Sequence, residues 1–214
     1  MADEDDNRHS LSEIISLMRG QSPPHHFEFS DPFWVLIGTI MSHRTKDAIT
    51  DKAARGLYEK YKDCNGLSEA KYEDVLSIID RVGFKTVKAK RVIDASKLLR
   101  DKYNCKVPAT IEQLTEIKGV GRKTANVVLA DGFNVPAIAV DTHVQRISRR
   151  IGWSGSDDPD ATEQELRKLI PEDLWLGLNP MMVEFGKKVC KPVSPLCSQC
   201  NIKQYCNYYK LKIG

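Results

Sequence analysis

Long hydrophobic runs are missing from this chain. No apolar stretch approaches the roughly 20 residues that cross a bilayer, and none resembles a signal peptide's core. A membrane partner is set aside, and the expected setting is the reducing cytoplasm, with the nucleoid if the source is a prokaryote. Strand patterns are almost absent as well. Only Val135–Val140 has strand character, too little to build a sheet. Neither an internal repeat nor a low-complexity tract is found. Nor is there a large excess of one charge: 32 Lys and Arg against 29 Asp and Glu leave +3, compatible with a polyanionic partner without demanding one. The opening MADEDDNRHS is acidic and polar, unlike a basic transit peptide, and reads as a frayed tail.

What is present is helix. Ser10-Leu11-Ser12-Glu13 is a capping box, followed by Leu11, Ile14, Ile15 and Met18 at helical spacing until Gly20. Asp31-Pro32 is an N-cap with proline at the first helical position, opening the apolar PFWVLIGTIMS. Asp47–Tyr61, Tyr72–Ile79 and Val87–Tyr103 also read as helices, and Thr110-Ile111-Glu112-Gln113 is a second capping box. SPPHH at 22–26 is a plausible crossing between units. The fold class is all-α.

IKGVGRKTA, residues 117–125, is the first stretch with chemical meaning. A phosphate-cradling P-loop needs G-x-x-x-x-G-K-[ST] after a strand. Here Arg122 separates Gly121 from Lys123, and a helix precedes the turn. The stretch is better read as helix, tight turn and second helix. Gly119 and Gly121 free the backbone conformation and let another backbone approach, while Val120 tucks beneath. The turn's amides and the helix N-terminus, with Arg122, suit a phosphate. A plain glycine-terminated helix turn remains the bland alternative.

Lys123 falls in the first turn of the second helix, where the dipole disfavours a cation. Free lysine has a pKa of about 10.4, so a site that favours the neutral amine makes a nucleophile of it. A partner carboxylate is offered by Asp141 in IAVDTHV, which is also an N-cap candidate; the two roles are compatible. Four cysteines, Cys190, Cys197, Cys200 and Cys206, are spaced C-x6-C-x2-C-x5-C, with Cys64 and Cys105 apart. In a reducing compartment such a cluster points to metal, with zinc and an iron–sulfur cluster both open on chemistry alone.

GVGRKTANVV followed by AVDTHVQR resembles the helix-hairpin-helix and Gly/Pro-rich-loop-Asp signature of the endonuclease III family of DNA glycosylases. VLADGFNVPAI supplies the loop between them, and the likeness runs from SDPFWVLIGTIMSHRTKD to the terminal cysteines. The resemblance implies a bifunctional enzyme of base excision repair acting, as a monomer, on damaged double-stranded DNA. Lys123 would attack the sugar C1′, Asp141 would stabilise the cationic sugar, and the Schiff base would undergo β-elimination. Its substrates would be oxidised pyrimidines. The cysteine spacing implies a [4Fe–4S] cluster, whose loop KPVSPL would present Lys191 to a phosphate. A base in a duplex must be flipped out. The position of the usual gap-filling glutamine holds Arg44, a departure that opens the opposite-base preference, and Phe84 sits where an apolar wedge is expected. Lys118 replaces a common proline, and His143 is a candidate phosphate contact.

The resulting expectation is a two-domain helix-hairpin-helix glycosylase: a six-helix unit over 25–135 and a cluster unit made of 1–24 and 136–214, with Lys123 and Asp141 facing across a cleft. Three rivals stay open. One is a non-catalytic helix-hairpin-helix binder. Another is a monofunctional mismatch (U or T opposite G) or adenine glycosylase, against which Lys123 and the short segment after the cysteines both argue. The third is a zinc-stabilised interaction domain.

Overall fold

The computed structural model describes residues 2–25 and 27–212, and among them every regular element is helical. Contacts divide the chain into two compact units, Phe27–Val135 and Met1–His26 with Pro136–Gly214.

In the first unit, α2 (Pro32–Ser42) starts where the sequence places it. The Asp31 carboxylate accepts from the amides of Phe33 at 3.0 Å and Trp34 at 3.2 Å, and Pro32 fixes the first turn. Such a cap is worth about 1 kcal/mol. Phe33, Trp34, Val35, Leu36, Ile37, Ile40 and Met41 are all buried, so α2 is the axis of the unit. It packs against α3 (Asp47–Tyr61), α6 (Lys85–Tyr103), α8 (Arg122–Val127) and the π turn Val128–Gly132 that continues α8. α5 (Tyr72–Ile78) packs on α6. α7 (Ile111–Thr115) begins at Thr110, whose hydroxyl accepts from Gln113 N at 3.3 Å.

Not every element was legible. α4 (Cys64–Ser68), capped by Asp63, brings the described helices of this unit to seven where six were expected. Its five residues are too few to show a period. Cys64 and Cys105, far apart in sequence, form a disulfide that ties α4 to the turn after α6.

In the second unit, α1 (Ala2–Gln21) packs on α11 (Leu178–Lys188), which also packs on α9 (Thr142–Ile151). α10 (Pro159–Leu169) and α12 (Asn207–Lys212) complete it. Its core joins Ile14, Ile15 and Met18 to Val144, Ile147, Leu166, Met181, Met182 and Phe185. Two expectations need correction. The opening residues, expected as a tail, are drawn into α1, which starts at Ala2, so Ser10 lies inside the helix and not at its N-cap. Val135–Val140 is no strand but irregular, with Ala137–Val140 buried and the Ala139 carbonyl satisfied by Asn179 Nδ2 at 2.8 Å. Among the described residues there is no strand for it to pair with. Of the SPPHH crossing, Ser22–His25 is irregular and His26 lies outside the described residues.

Candidate functional site

The two glycines of the hairpin do different work. Gly119 has φ 91°, a left-handed conformation that penalises side chains, and a Cβ there would stand 2.8 Å from Arg91 Cδ. Gly121 has φ −98° and ψ 178°, ordinary extended backbone, and a Cβ there would meet nothing within 4 Å. Its missing side chain therefore serves open space rather than this chain's own folding. Val120 is buried, with its amide on Ile117 O at 2.9 Å, and so ties the turn back to α7. Arg122 and Lys123 follow, half-buried, in the first turn of α8. Lys118 is exposed.

Near Lys123 stands a residue that sequence reasoning passed over. The His43 imidazole is held below its usual pKa, first by burial and then by the surrounding charges of Lys88, Arg44, Lys123 and Arg91. His43 caps the C-terminus of α2 and opens the loop that carries Arg44. Arg44 and Phe84 both adopt left-handed backbone, at φ 53° and 57°, and the Arg44 guanidinium lies 5.8 Å from the Phe84 ring centre. Phe84 is 60% exposed, which removes the reading of it as a core aromatic.

Asp141, in the other unit, is an N-cap as expected: its carboxylate accepts from His143 N at 2.8 Å and Val144 N at 2.9 Å. Two amides thereby fix its direction. His143 is half-buried, packed against Gly186, with Nδ1 3.2 Å from Arg146 Nη2. Burial, the largest influence, pulls its pKa down. Arg146 also donates to the carbonyls of Cys190 at 2.9 Å and Gly186 at 3.2 Å. Arg150, one turn on, donates to Lys191 O at 2.7 Å, Pro192 O at 3.0 Å and Cys190 Sγ at 3.3 Å. Both arginines went unnoticed in the sequence, although their i, i+4 spacing on α9 placed them on one face.

Cys190, Cys197, Cys200 and Cys206 are unpaired thiols lining one pocket with Ile147, Ile151, Phe185 and Leu196. Burial pushes the Cys200 thiol up to about 11 and raises Cys197 as well. The loop between Cys190 and Cys197 is closed by Leu196 N on Val189 O at 3.0 Å, and Val193, 80% exposed, forms its tip. Lys191 is half-buried beside it. A set of four soft sulfurs in an apolar wall fits an iron–sulfur group. Among the described residues no three His, Cys, Asp or Glu side chains are gathered as ligands of a single metal ion.

A short helix pair joined by a glycine turn, with a lysine in the first turn of the second helix, defines a helix-hairpin-helix protein. The pattern of the HhH-GPD superfamily base excision DNA repair proteins matches residues 37–172. The chain is 48% identical to endonuclease III of Thermotoga maritima over 94% of this chain and 93% of that one. Against endonuclease III of Bacillus subtilis the identity is 34%, over 83% and 81%. The solved structure of a trapped endonuclease III–DNA covalent intermediate superposes with a TM-score of 0.85 at 35% identity, over 95% of this chain and 97% of that one. A thermostable thymine-DNA glycosylase reaches the same TM-score of 0.85 at 22% identity, a likeness of fold. The chain belongs to the endonuclease III family.

Proposed function

We propose that this chain removes damaged bases, oxidised pyrimidines foremost, from double-stranded DNA as a monomer and then nicks the strand as a lyase. The glycosylase and lyase class rests on family membership at 48% identity across nearly the whole chain. Lys123 is the observation that carries the lyase half: an amine in the first turn of α8, directly after the backbone-gripping turn.

In this reading the Lys123 lone pair forms a bond to C1′ as the glycosidic bond breaks and its electron pair leaves with the base. The Asp141 carboxylate, aimed by two amides, opposes the positive charge that develops on the sugar. The sugar ring opens to a Schiff base on Lys123. Loss of a C2′ proton then expels the 3′ phosphate, and water releases the lysine. Gly119, Gly121 and Arg122 grip the DNA backbone, on a turn that buried Val120 holds from beneath, which gives hold without sequence preference. His143 and Lys191 add phosphate contacts. Arg44 takes the gap left by the flipped base and Phe84 wedges beside it.

We also assign the four cysteines to a [4Fe–4S] cluster. Their thiolates would hold the group, and four sulfurs lining one pocket suit it. The cluster would fix the Cys190–Cys206 loop, and the residues of this chain supply the chemistry on DNA.

Borohydride trapping on an abasic duplex is the test. The protein should form a covalent adduct with DNA, and Lys123→Gln should abolish it while duplex binding persists. Trapping that survives in Lys123→Gln removes the lysine from this role. A set of duplexes, each with one modified base, then defines the lesion.

A further inference from the structure

α6 carries a lysine where its pattern calls for an apolar residue. Lys88 lies on the stripe formed by Ala89, Val92, Ile93, Ser96 and Leu99 and is 2% exposed. A buried ammonium persists only where its donors are met. Here the ammonium reaches three acceptors on one short segment. Nζ donates to Met41 O at 2.8 Å, to His43 O, and to Thr45 Oγ1 at 3.0 Å. Two of these are carbonyls at the C-terminal end of α2, which the helix itself leaves without donors.

The third partner extends the reach. Thr45 Oγ1 also accepts from Gly83 N at 3.2 Å. Gly83 in turn sits so close to the Arg44 backbone that a Cβ would stand 2.5 Å from Arg44 O. Next in sequence to Thr45 and Gly83 are the two strained residues, Arg44 at φ 53° and Phe84 at φ 57°, with the guanidinium beside the ring. Left-handed backbone at residues other than glycine persists only when its surroundings over-determine it. Lys88 and Thr45 are bonded to the two segments that carry these residues.

We propose that Lys88 is a positioning residue: from inside the helical core it locks the Ser42–Thr45 loop and, through Thr45, the Gly83–Phe84 turn. Arg44 and Phe84 then enter a duplex as one preset pair. The inference rests on the assignment of Arg44 and Phe84 to the gap and the wedge. Lys88 itself touches no DNA; it fixes which bases tolerate the pair, and so sets the opposite-base preference.

The experiment compares the full-length protein with Lys88→Met and Thr45→Val, using Arg44→Ala as the reference for a lost gap filler. One abasic strand is offered alone and opposite each of the four bases. A duplex with 2-aminopurine as the partner base reports insertion of the pair by fluorescence, independently of bond cleavage. A single strand has no gap to fill, so Lys88→Met should nick it at close to the parent rate. On duplexes it should lose about tenfold or more, as misplaced positioning groups do. Its spread across the four partner bases should collapse toward that of Arg44→Ala, and the 2-aminopurine signal should fall with it. A role confined to filling the core would lower the melting temperature while leaving the duplex-to-single-strand ratio and the spread unchanged; that result overturns the proposal. If Lys88→Met does not fold, Thr45→Val carries the same test. It removes the link to Gly83 at nearly constant volume, and parent-like ratios in it also overturn the proposal. Should the parent nick no strand at all, the lyase assignment fails. The 2-aminopurine comparison between parent and variants then still decides on Lys88.

Discussion

Two regions of this molecule present side chains to solvent by opposite means. Around Ser42–Thr45 and Gly83–Phe84, every fixture comes from the chain: a buried ammonium, a threonine hydroxyl and a glycine that permits close approach. Around Cys190–Cys206 the backbone entry is fixed by Arg146 and Arg150, but the interior is four thiols in an apolar wall. The short 3-10 turns Cys197–Gln199 and Lys203–Tyr205 bury no residue of their own. The first region therefore owes its shape to packing and hydrogen bonds. The second, in the proposed reading, owes it to a group the polypeptide does not encode.

The largest expected effect lies there. Cys200→Ser should give protein without yellow-brown colour or absorbance near ~400 nm. Protease should then cut within Cys190–Cys206, while amide protection across Phe27–Val135 stays as in the parent. Binding free energy at such sites is folding free energy, so its loss is felt locally and in full. Colourless parent protein containing zinc, or unchanged protease resistance in Cys200→Ser, would break the contrast between the two regions.

The contrast also explains what the sequence could and could not show. Asp31-Pro32, Thr110 and Asp141 are local signals, and each caps the helix it was expected to cap. The cysteine spacing and the GVGRK turn are local too. Lys88 is different: its partners lie more than forty positions away, and among TVKAKR it looks like one more surface charge. Its only trace is its place on the apolar face of α6. Ser10 misled for the opposite reason, because a capping pattern inside a longer helix has the right residues and no terminus to serve.

A smaller effect sharpens the chain-made region. Burial, followed by the nearby Arg91 charge, lowers the Lys88 pKa to about 8. An unfolded lysine titrates near 10.4, so between about pH 8 and 10.4 the unfolded state binds more protons than the folded one. Stability should therefore rise with pH across that window on account of this residue. Below pH 8 the charged amine carries its full burial penalty, of at most about 3 kcal/mol. Denaturant melts at pH 7.5 and 9.5 should show the parent gaining relative to Lys88→Met. A parent-to-variant difference that does not change with pH would mean the amine is not desolvated as its surroundings indicate.

The smallest effect separates two residues that look alike. Gly119→Ala must hold a side chain at φ 91°, which costs about 1–2 kcal/mol, and must displace Arg91. Gly121→Ala meets neither obstacle, since its backbone is extended and the added carbon enters open space; its stability should change by no more than about 0.5 kcal/mol. If that space is where a DNA backbone runs, the added methyl group displaces it. Gly121→Ala should therefore weaken duplex binding, read by fluorescence anisotropy at fixed salt, with its melting temperature unmoved. Gly119→Ala should show the converse order, losing stability first. Parent-like binding by Gly121→Ala would leave the second glycine without a role on DNA and reduce the hairpin to a helix turn that only its first glycine requires.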